Sequence, residues 1–474
     1  MRRLVAVLLG VGTAAAALPA PALAHGLVGR SDLPIPAWLF GWAASMVLIV
    51  SFVALAVLWP SPRLEPSHER QVLRVPRVLD PIAGLIGVAL LAFVVYAGVA
   101  GDQVETRNLA PTFVYVAFWV GLLPLQLLFG DVFAALNPWR AIGRAAGWLS
   151  SRLAPGRLPD AMPYPERLGR WPAVLGILCF VWLELVLPEG SEPSTLAVLA
   201  MVYAAIQLVG MSMYGVEAWE RNGDGFAAFF GLFAALSPLR WERCTLYVRP
   251  PLAGVTRLAA VPGTVALLCT MIGTTTFDGF SNGPVWADIA PELTDAIASL
   301  GFSEGTALEL ASTIGLLAVV ALVSLLYWLG ASGMRSVAPD RSTTSLARTF
   351  VHSLVPIALA YAVAHYFSLL AFQGQALGYL ASNPLGRTLA DGDTGLFGTA
   401  DWSIDYAWVG SDTIWYVQVA ALVVGHVSAL VLAHDRAVTV FSRPYEATRS
   451  QYWMLAVMVG FTSLGLWLLS AQNT

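Results

Sequence analysis

Lysine is missing from this chain: all 26 of its basic residues are arginine. That excludes a Schiff-base lysine, a phosphate-loop lysine and a lysine general base, so any chemistry must run on other groups. Cysteine is nearly absent. The three present, Cys179, Cys244 and Cys269, share no close spacing, and two of them lie in apolar runs. Neither a disulfide framework nor a zinc knuckle can be read from them, and they fit core packing. Charge of either sign is scarce too, at 12% of residues against 57% hydrophobic. Ionisable groups are too few to coat a soluble globule of 474 residues, so the excess apolar surface needs lipid, and the bilayer is the first expected partner. A net charge of −4 and a pI near 5.9 give no basic field, which argues against nucleic acid.

What is present is organised as a membrane protein. Met1 to Ala24 carries Arg2 and Arg3, then an apolar run, then small residues ending Ala22-Leu23-Ala24, the pattern of a secretory signal with an A-x-A cleavage site. Removing residues 1–24 leaves 25–474 as one membrane domain beginning at His25. Apolar runs long enough to cross a hydrocarbon core, about 20 residues each, begin near Trp38, Pro81, Thr112, Trp171, Thr195, Leu258, Ala311, Val351, Ile414 and Tyr452. The expectation is an all-α integral membrane protein of about ten transmembrane helices. Alternate loops are arginine-rich, with Arg63, Arg70, Arg74 and Arg77 in the first and Arg240, Arg243, Arg249 and Arg257 in the third of that set. The intervening loops hold Asp102, Glu105, Glu189, Glu192, Asp288, Asp391 and Asp405 among others. By the positive-inside rule the mature N-terminus and the C-terminus both lie outside a multi-pass protein of the cell membrane.

A short repeat lies within the domain. Phe133-Ala134-Ala135-Leu136-Asn137-Pro138-Trp139-Arg140 matches Phe233-Ala234-Ala235-Leu236-Ser237-Pro238-Leu239-Arg240 at an offset of 100 residues. It fits either a pair of re-entrant segments lining a path or two interfacial helices ending at proline with an arginine anchor.

Ionisable groups inside a membrane are costly and count as functional candidates. His365 sits near mid-depth of the eighth span, with Tyr361 one turn before it and Gln373 and Gln375 toward the outer end. On the ninth span Trp415, Leu422 and His426 share one helical face, and His426 is again near mid-depth. The two histidines could ligate one divalent transition metal, zinc or copper, or relay a proton; equally, each could be satisfied separately by neighbouring hydroxyls or carbonyls. Thr274-Thr275-Thr276-Phe277-Asp278-Gly279 puts a carboxylate beside three hydroxyls near the outer end of the sixth span. Asp278 is there a ligand or general base, or it caps a chain reversal at Gly279. A mature N-terminal His25 would offer an amine and an imidazole to copper on the same outer side, unless cleavage leaves it there by accident. Glu184 reads as interfacial. His434-Asp435-Arg436 reads as a helix end with cationic side chains near its carbonyls. Gly301-Phe302-Ser303-Glu304-Gly305 fits a nucleophile elbow in pattern only, since no strand precedes it, and Ser303 reads as a helix N-cap. Asp391-Gly392-Asp393-Thr394-Gly395 reads as a solvated turn, because Gly395 stands where a calcium loop needs a ligand.

Several segments resemble a named family. The opening His25-Gly26-Leu27-Val28-Gly29-Arg30-Ser31-Asp32-Leu33-Pro34, then Thr276-Phe277-Asp278-Gly279, Leu396-Phe397-Gly398-Thr399-Ala400, Ile414-Trp415-Tyr416-Val417-Gln418 and Gly425-His426-Val427 are similar to polytopic actinobacterial membrane proteins that carry the name fenitrothion hydrolase. The resemblance runs the length of the mature chain and implies hydrolysis of an organophosphorus triester with release of a nitrophenol. It supplies no catalytic residues. Phosphotriester hydrolysis wants a metal-activated water, and Asp278, His365 and His426 could supply ligands or a base if they converge, with a hydrophobic small molecule meeting Gln373, Gln375 and Trp415. The alternatives from the residues are a transporter built around the paired histidines and a copper-handling protein using His25. No protein partner is legible.

Overall fold

The computed structural model describes residues 37–65, 67–153 and 160–471. The signal segment and His25 lie outside the described residues. The chain is mostly helical, and helices stand at or a few residues after the positions where apolar runs begin, the run at Leu258 becoming helical from Thr264. The first three long ones are α1 (Ala37–Leu58), α2 (Leu79–Ala100) and α3 (Leu109–Phe129). Two short amphipathic pieces follow, α4 (Val132–Leu136) and α5 (Pro138–Leu153), then α6 (Trp171–Leu185) and α7 (Pro193–Tyr214). After α8 (Val216–Asn222) and α9 (Gly225–Ala234) come α10 (Thr264–Ser281), α11 (Pro284–Ala298) and α12 (Glu304–Gly333). The chain closes with α13 (Thr343–Phe350), α14 (Leu354–Ser382), α15 (Ser411–Val440), α16 (Pro444–Ser450) and α17 (Tyr452–Ala471).

Among the described residues seven helical stretches are long and apolar enough to cross a membrane: α1 from Gly41, α2, α3, α7, α12 through Ser336, α13 with α14, and α15. Their outward faces keep large apolar side chains exposed, such as Val57, Leu85, Ile206 and Leu325. Such a surface is stable in hydrocarbon and unstable in water. The α6 helix is shorter, at 15 residues, and α10 trades apolar residues for a run of threonines. Expected loop groupings are present as contacts. At one end the loop after α2 meets the loop after α14, through Asp102 N–H on the Leu385 carbonyl and Leu109 N–H on the Pro384 carbonyl. At the other end Arg144 reaches Asp80 and Glu217, and Arg436 reaches Glu65.

That arginine-rich end holds an element the all-α expectation missed. β1 (Arg70–Arg74), β2 (Leu239–Glu242) and β3 (Thr245–Val248) form an antiparallel sheet in the order β1-β3-β2. Glu69, mostly buried just before β1, accepts from Arg240 and Arg257 and lies 3.7 Å from Arg249. One carboxylate thus gathers three arginines whose mutual repulsion would otherwise splay the loops.

The repeat folds alike in its first half and differently after its proline. Both short helices, α4 and α9, stop before the proline, which forbids continuation of the preceding turn. Pro138 then opens a 16-residue helix, with Asn137 capping it through the Arg140 N–H. Pro238 instead leads into β2. The end carbonyls are met by arginine in both copies: Arg140 donates to the Ala134 carbonyl, whereas the matching Ala234 carbonyl receives Arg249, not Arg240. Both copies end a helix before the proline and place an arginine on one of its last carbonyls.

The β2–β3 hairpin turns through Arg243 and Cys244, both at positive φ (45° and 63°). A two-residue turn of this kind prefers Asn-Gly, and a side chain in left-handed conformation costs about 1 kcal/mol or more per residue. Replacing Arg243-Cys244 by Asn-Gly is therefore expected to raise the thermal midpoint of the purified protein by a few degrees. A lowered midpoint would show that this turn is held by contacts other than its backbone.

Candidate functional site

The α10 helix runs unbroken through Asp278 and Gly279 to Ser281, so Asp278 does not cap a reversal there; Asn282 ends the helix instead. The three hydroxyls before it are spent on their own helix: Thr274, Thr275 and Thr276 donate to carbonyls one turn back. Asp278 faces α14. His365 Nε2 lies 2.9 Å from Asp278 Oδ2, and the neighbouring Tyr366 hydroxyl donates to the same oxygen at 2.8 Å. Asp278 is 1% exposed and His365 6% exposed, so water does not screen the pair. The α3 helix packs against α14 beside them, and its Tyr115 donates to the Gly190 carbonyl. Glu184, expected at the interface, is half-buried on α6. Two helices, α10 and α14, therefore meet at one buried carboxylate.

His426 is engaged differently. Its Nδ1 lies 2.7 Å from the Leu422 carbonyl of its own helix, and its ring packs at 6.1 Å on Tyr361. Close approach of α15 to α14 is what brings it there: a Cβ on Gly425 would stand 2.2 Å from that of Ala360. Among the described residues no group of three or more His, Cys, Asp and Glu is placed to hold a metal ion. Asp278, His365 and His426 thus do not make the expected ligand set for zinc or copper, because His426 turns to its own helix and Tyr361 while His365 turns to α10. The remaining expected ligand, His25, lies outside the described residues.

The expected substrate contacts are scattered. Gln375 ties the C-terminal part of α14 to the loop before α15, donating to the Asp405 carbonyl and accepting from the Asp405 N–H. Gln373 is half-buried two residues earlier, and Trp415 is 1% exposed inside the core. Ser303 caps α12 by accepting the Thr306 N–H, and Asp393 accepts the Gly395 N–H within a turn.

A second buried carboxylate has no counterpart in the sequence reading. Asp224 caps α9 by accepting the Phe226 and Ala227 N–H groups, and it also accepts Tyr203 OH (2.9 Å), Asn137 Nδ2 (3.0 Å) and the Trp139 indole. Nearby, Gln126 and Asp131 close the turn between α3 and α4. Arg140 lies 3.4 Å from Glu220 on α8. Burial pushes the Glu220 carboxyl up to about 7, opposed by Arg140 and helped by Asp131 and Asp224. At the arginine-rich end His434, Asp435 and Arg436 form a clasp. Asp435 accepts the Trp59 indole and the N–H groups of Arg63, Leu64 and Glu65, His434 Nε2 meets the Trp59 carbonyl, and Arg436 donates to the Thr256 carbonyl. These residues hold the loop after α1, a different task from closing a helix end.

A carboxyl of raised pKa keeps its proton longer in the folded chain than in the unfolded one. The contribution of Glu220 to stability is therefore complete below its ordinary 4.5 and is lost as pH rises through about 7. The thermal midpoint is expected to fall across that window, and Glu220→Gln to flatten the fall. An equal fall in the variant would remove Glu220 as its source. Compared with family models, curated proteins and solved structures, the chain matches none of them, so the role of these centres is argued from their geometry.

Proposed function

We propose that this chain is a membrane protein of ten spans, with both mature ends outside, and that Asp278, His365 and Tyr366 are a proton-handling centre coupled to movement of a small solute. The observation that carries the reading is the 2.9 Å approach of His365 Nε2 to Asp278 Oδ2 at a site nearly closed to water. Isolated charges in such surroundings cost several kcal/mol each, so the pair holds best as an ion pair or with a single proton on one of the two groups, and a change in its surroundings selects between those states. Tyr366 fixes the position of the carboxyl group by donating to the same oxygen. The ten helix positions and the arginine asymmetry of the loops support the topology.

One observation favours a second reading. A carboxylate set against an imidazole is the arrangement that orients histidine as a general base, and the family resemblance points to hydrolysis of an organophosphorus triester. In that reading His365 takes a proton from water and Asp278 stabilises the imidazolium. The metal-assisted form has less support, since the described residues hold no three-ligand group.

Purified protein in liposomes containing a pH-sensitive dye is expected to report solute-driven proton movement for a member of a panel of copper, zinc and small organic solutes. Asp278→Asn and His365→Ala should each abolish it. Unchanged movement in both variants would sink the proposal. Release of nitrophenol from fenitrothion, reduced roughly 100-fold in the same two variants as loss of a general base predicts, with no proton-linked flux, would establish the second reading in its place.

A further inference from the structure

The Asp278 centre and the Asp224 centre are joined by an aromatic block in which one residue stands between the helices of both. Trp119 belongs to the stretch Thr112–Val120, which packs against α14, the helix of His365 and Tyr366. Its ring stacks on Phe229 at 4.3 Å and 23°, and it meets Phe226 at 6.3 Å. Both phenylalanines belong to α9, the helix that Asp224 caps, and Phe226 packs at 4.9 Å on Tyr203, which donates to Asp224. Phe180 closes the flank against Trp119 (4.8 Å) and Phe226 (5.0 Å). Trp119 itself is 5% exposed. Between two polar centres there thus stands a packed layer of rings that offers a proton no acceptor and leaves water no room.

The backbone explains why Trp119 reaches that position. Residues Thr112–Val120 form a π-helix, in which Gly121 N–H bonds the Val116 carbonyl, one residue further back than in an α-helix. Pro124 follows in the next turn; it has no N–H for the Val120 carbonyl, and its ring crowds that turn. A π-helical stretch of nine residues is rare, and such widened turns are found preferentially at functional positions.

We propose that Trp119 is the gate between two buried carboxylate centres, Asp278 on the outer side and Asp224 on the inner, so that protons pass between them only when its ring leaves Phe229. The inference rests on the proton-handling reading of the outer centre. The chemistry is proton transfer alone: the proton leaves the Asp278–His365 pair and is taken up at the Asp224–Tyr203 side, with no other bond made or broken.

The test is passive proton flux in liposomes under a potassium–valinomycin potential. Trp119→Ala is expected to raise the flux about tenfold over the parent protein, which corresponds to roughly 1.4 kcal/mol off the barrier. Trp119→Phe keeps a ring in the layer and should remain near the parent value. Adding Asp278→Asn to Trp119→Ala should return the flux to the parent level. Should Trp119→Ala not fold, Phe229→Ala removes the stacked partner and is expected to leak equally. A folded, monodisperse Trp119→Ala or Phe229→Ala protein as tight as the parent overturns the gate, as does a leak that Asp278→Asn leaves unchanged. The two readings fail in different assays: a tight Trp119→Ala protein that still shows solute-driven proton movement loses the gate alone. Solute-driven movement that survives Asp278→Asn and His365→Ala, beside a leaking Trp119→Ala, loses the solute coupling alone.

Discussion

A carboxylate removed from water has to be met by donors, and in this chain the donors come from other segments. Three side chains carry that constraint. Asp224 draws on α4–α5, α7 and the start of α9; Asp278 draws on α14; Asp435 draws on the loop that follows α1. The effective penalty for burying an unpaired ion is several kcal/mol, more than the dispersion contacts of any single helix pair would lose by sliding. Apolar helices packed in lipid have no strong preference among neighbours, because lipid tails are as apolar as leucine. Buried polar joints supply that preference. They fix which helices meet and at what height, and they rank as structural determinants before any chemistry is assigned to them.

The same constraint separates the three joints by task. Around Asp435 the partners are backbone N–H groups and an indole, donors that do not titrate, which suits a clasp. Asp278 is met by an imidazole and a phenol. Asp224 lies between these cases, with a phenol, an amide, an indole and two backbone groups. Chemistry concentrates where the donor is itself an acid or a base, and for that reason the outer centre carries the functional reading.

Much of the architecture was legible in the sequence because long apolar runs and arginine asymmetry are local signals of composition. The site was legible in part. Asp278 and His365 stood out as ionisable groups in apolar surroundings, and the structure brings them together across 86 intervening residues of chain that no periodicity could bridge. Tyr366 escaped notice because a tyrosine next to a histidine in an apolar run is compatible with plain core packing. Asp224, flanked by Gly223 and Gly225, has the look of a turn, and only the fold reveals the indole, amide and phenol that converge on it. The pairing of His365 with His426 failed for a geometric reason: equal depth on adjacent antiparallel helices does not fix the azimuth of a side chain, and each imidazole turned to a nearer partner. The sheet was missed because Arg70–Arg74 acquires its strand character from β3, more than 170 residues downstream.

The repeated segments preserve a carbonyl more faithfully than they preserve the residue that satisfies it. The Ala134 and Ala234 oxygens, 100 positions apart, each end a short helix and each accept a guanidinium, yet the arginine comes from within the repeat in one copy and from the far side of a hairpin in the other. A duplicated ancestor would need to retain only the demand for a cation at that spot. With Arg249 on that oxygen, Arg240 pairs with Glu69 instead. Likeness between the two halves of such a chain is therefore better traced by superimposing the helix-end oxygens that accept a guanidinium than by aligning letters, and a half without the motif can still answer the same electrostatic demand with another residue.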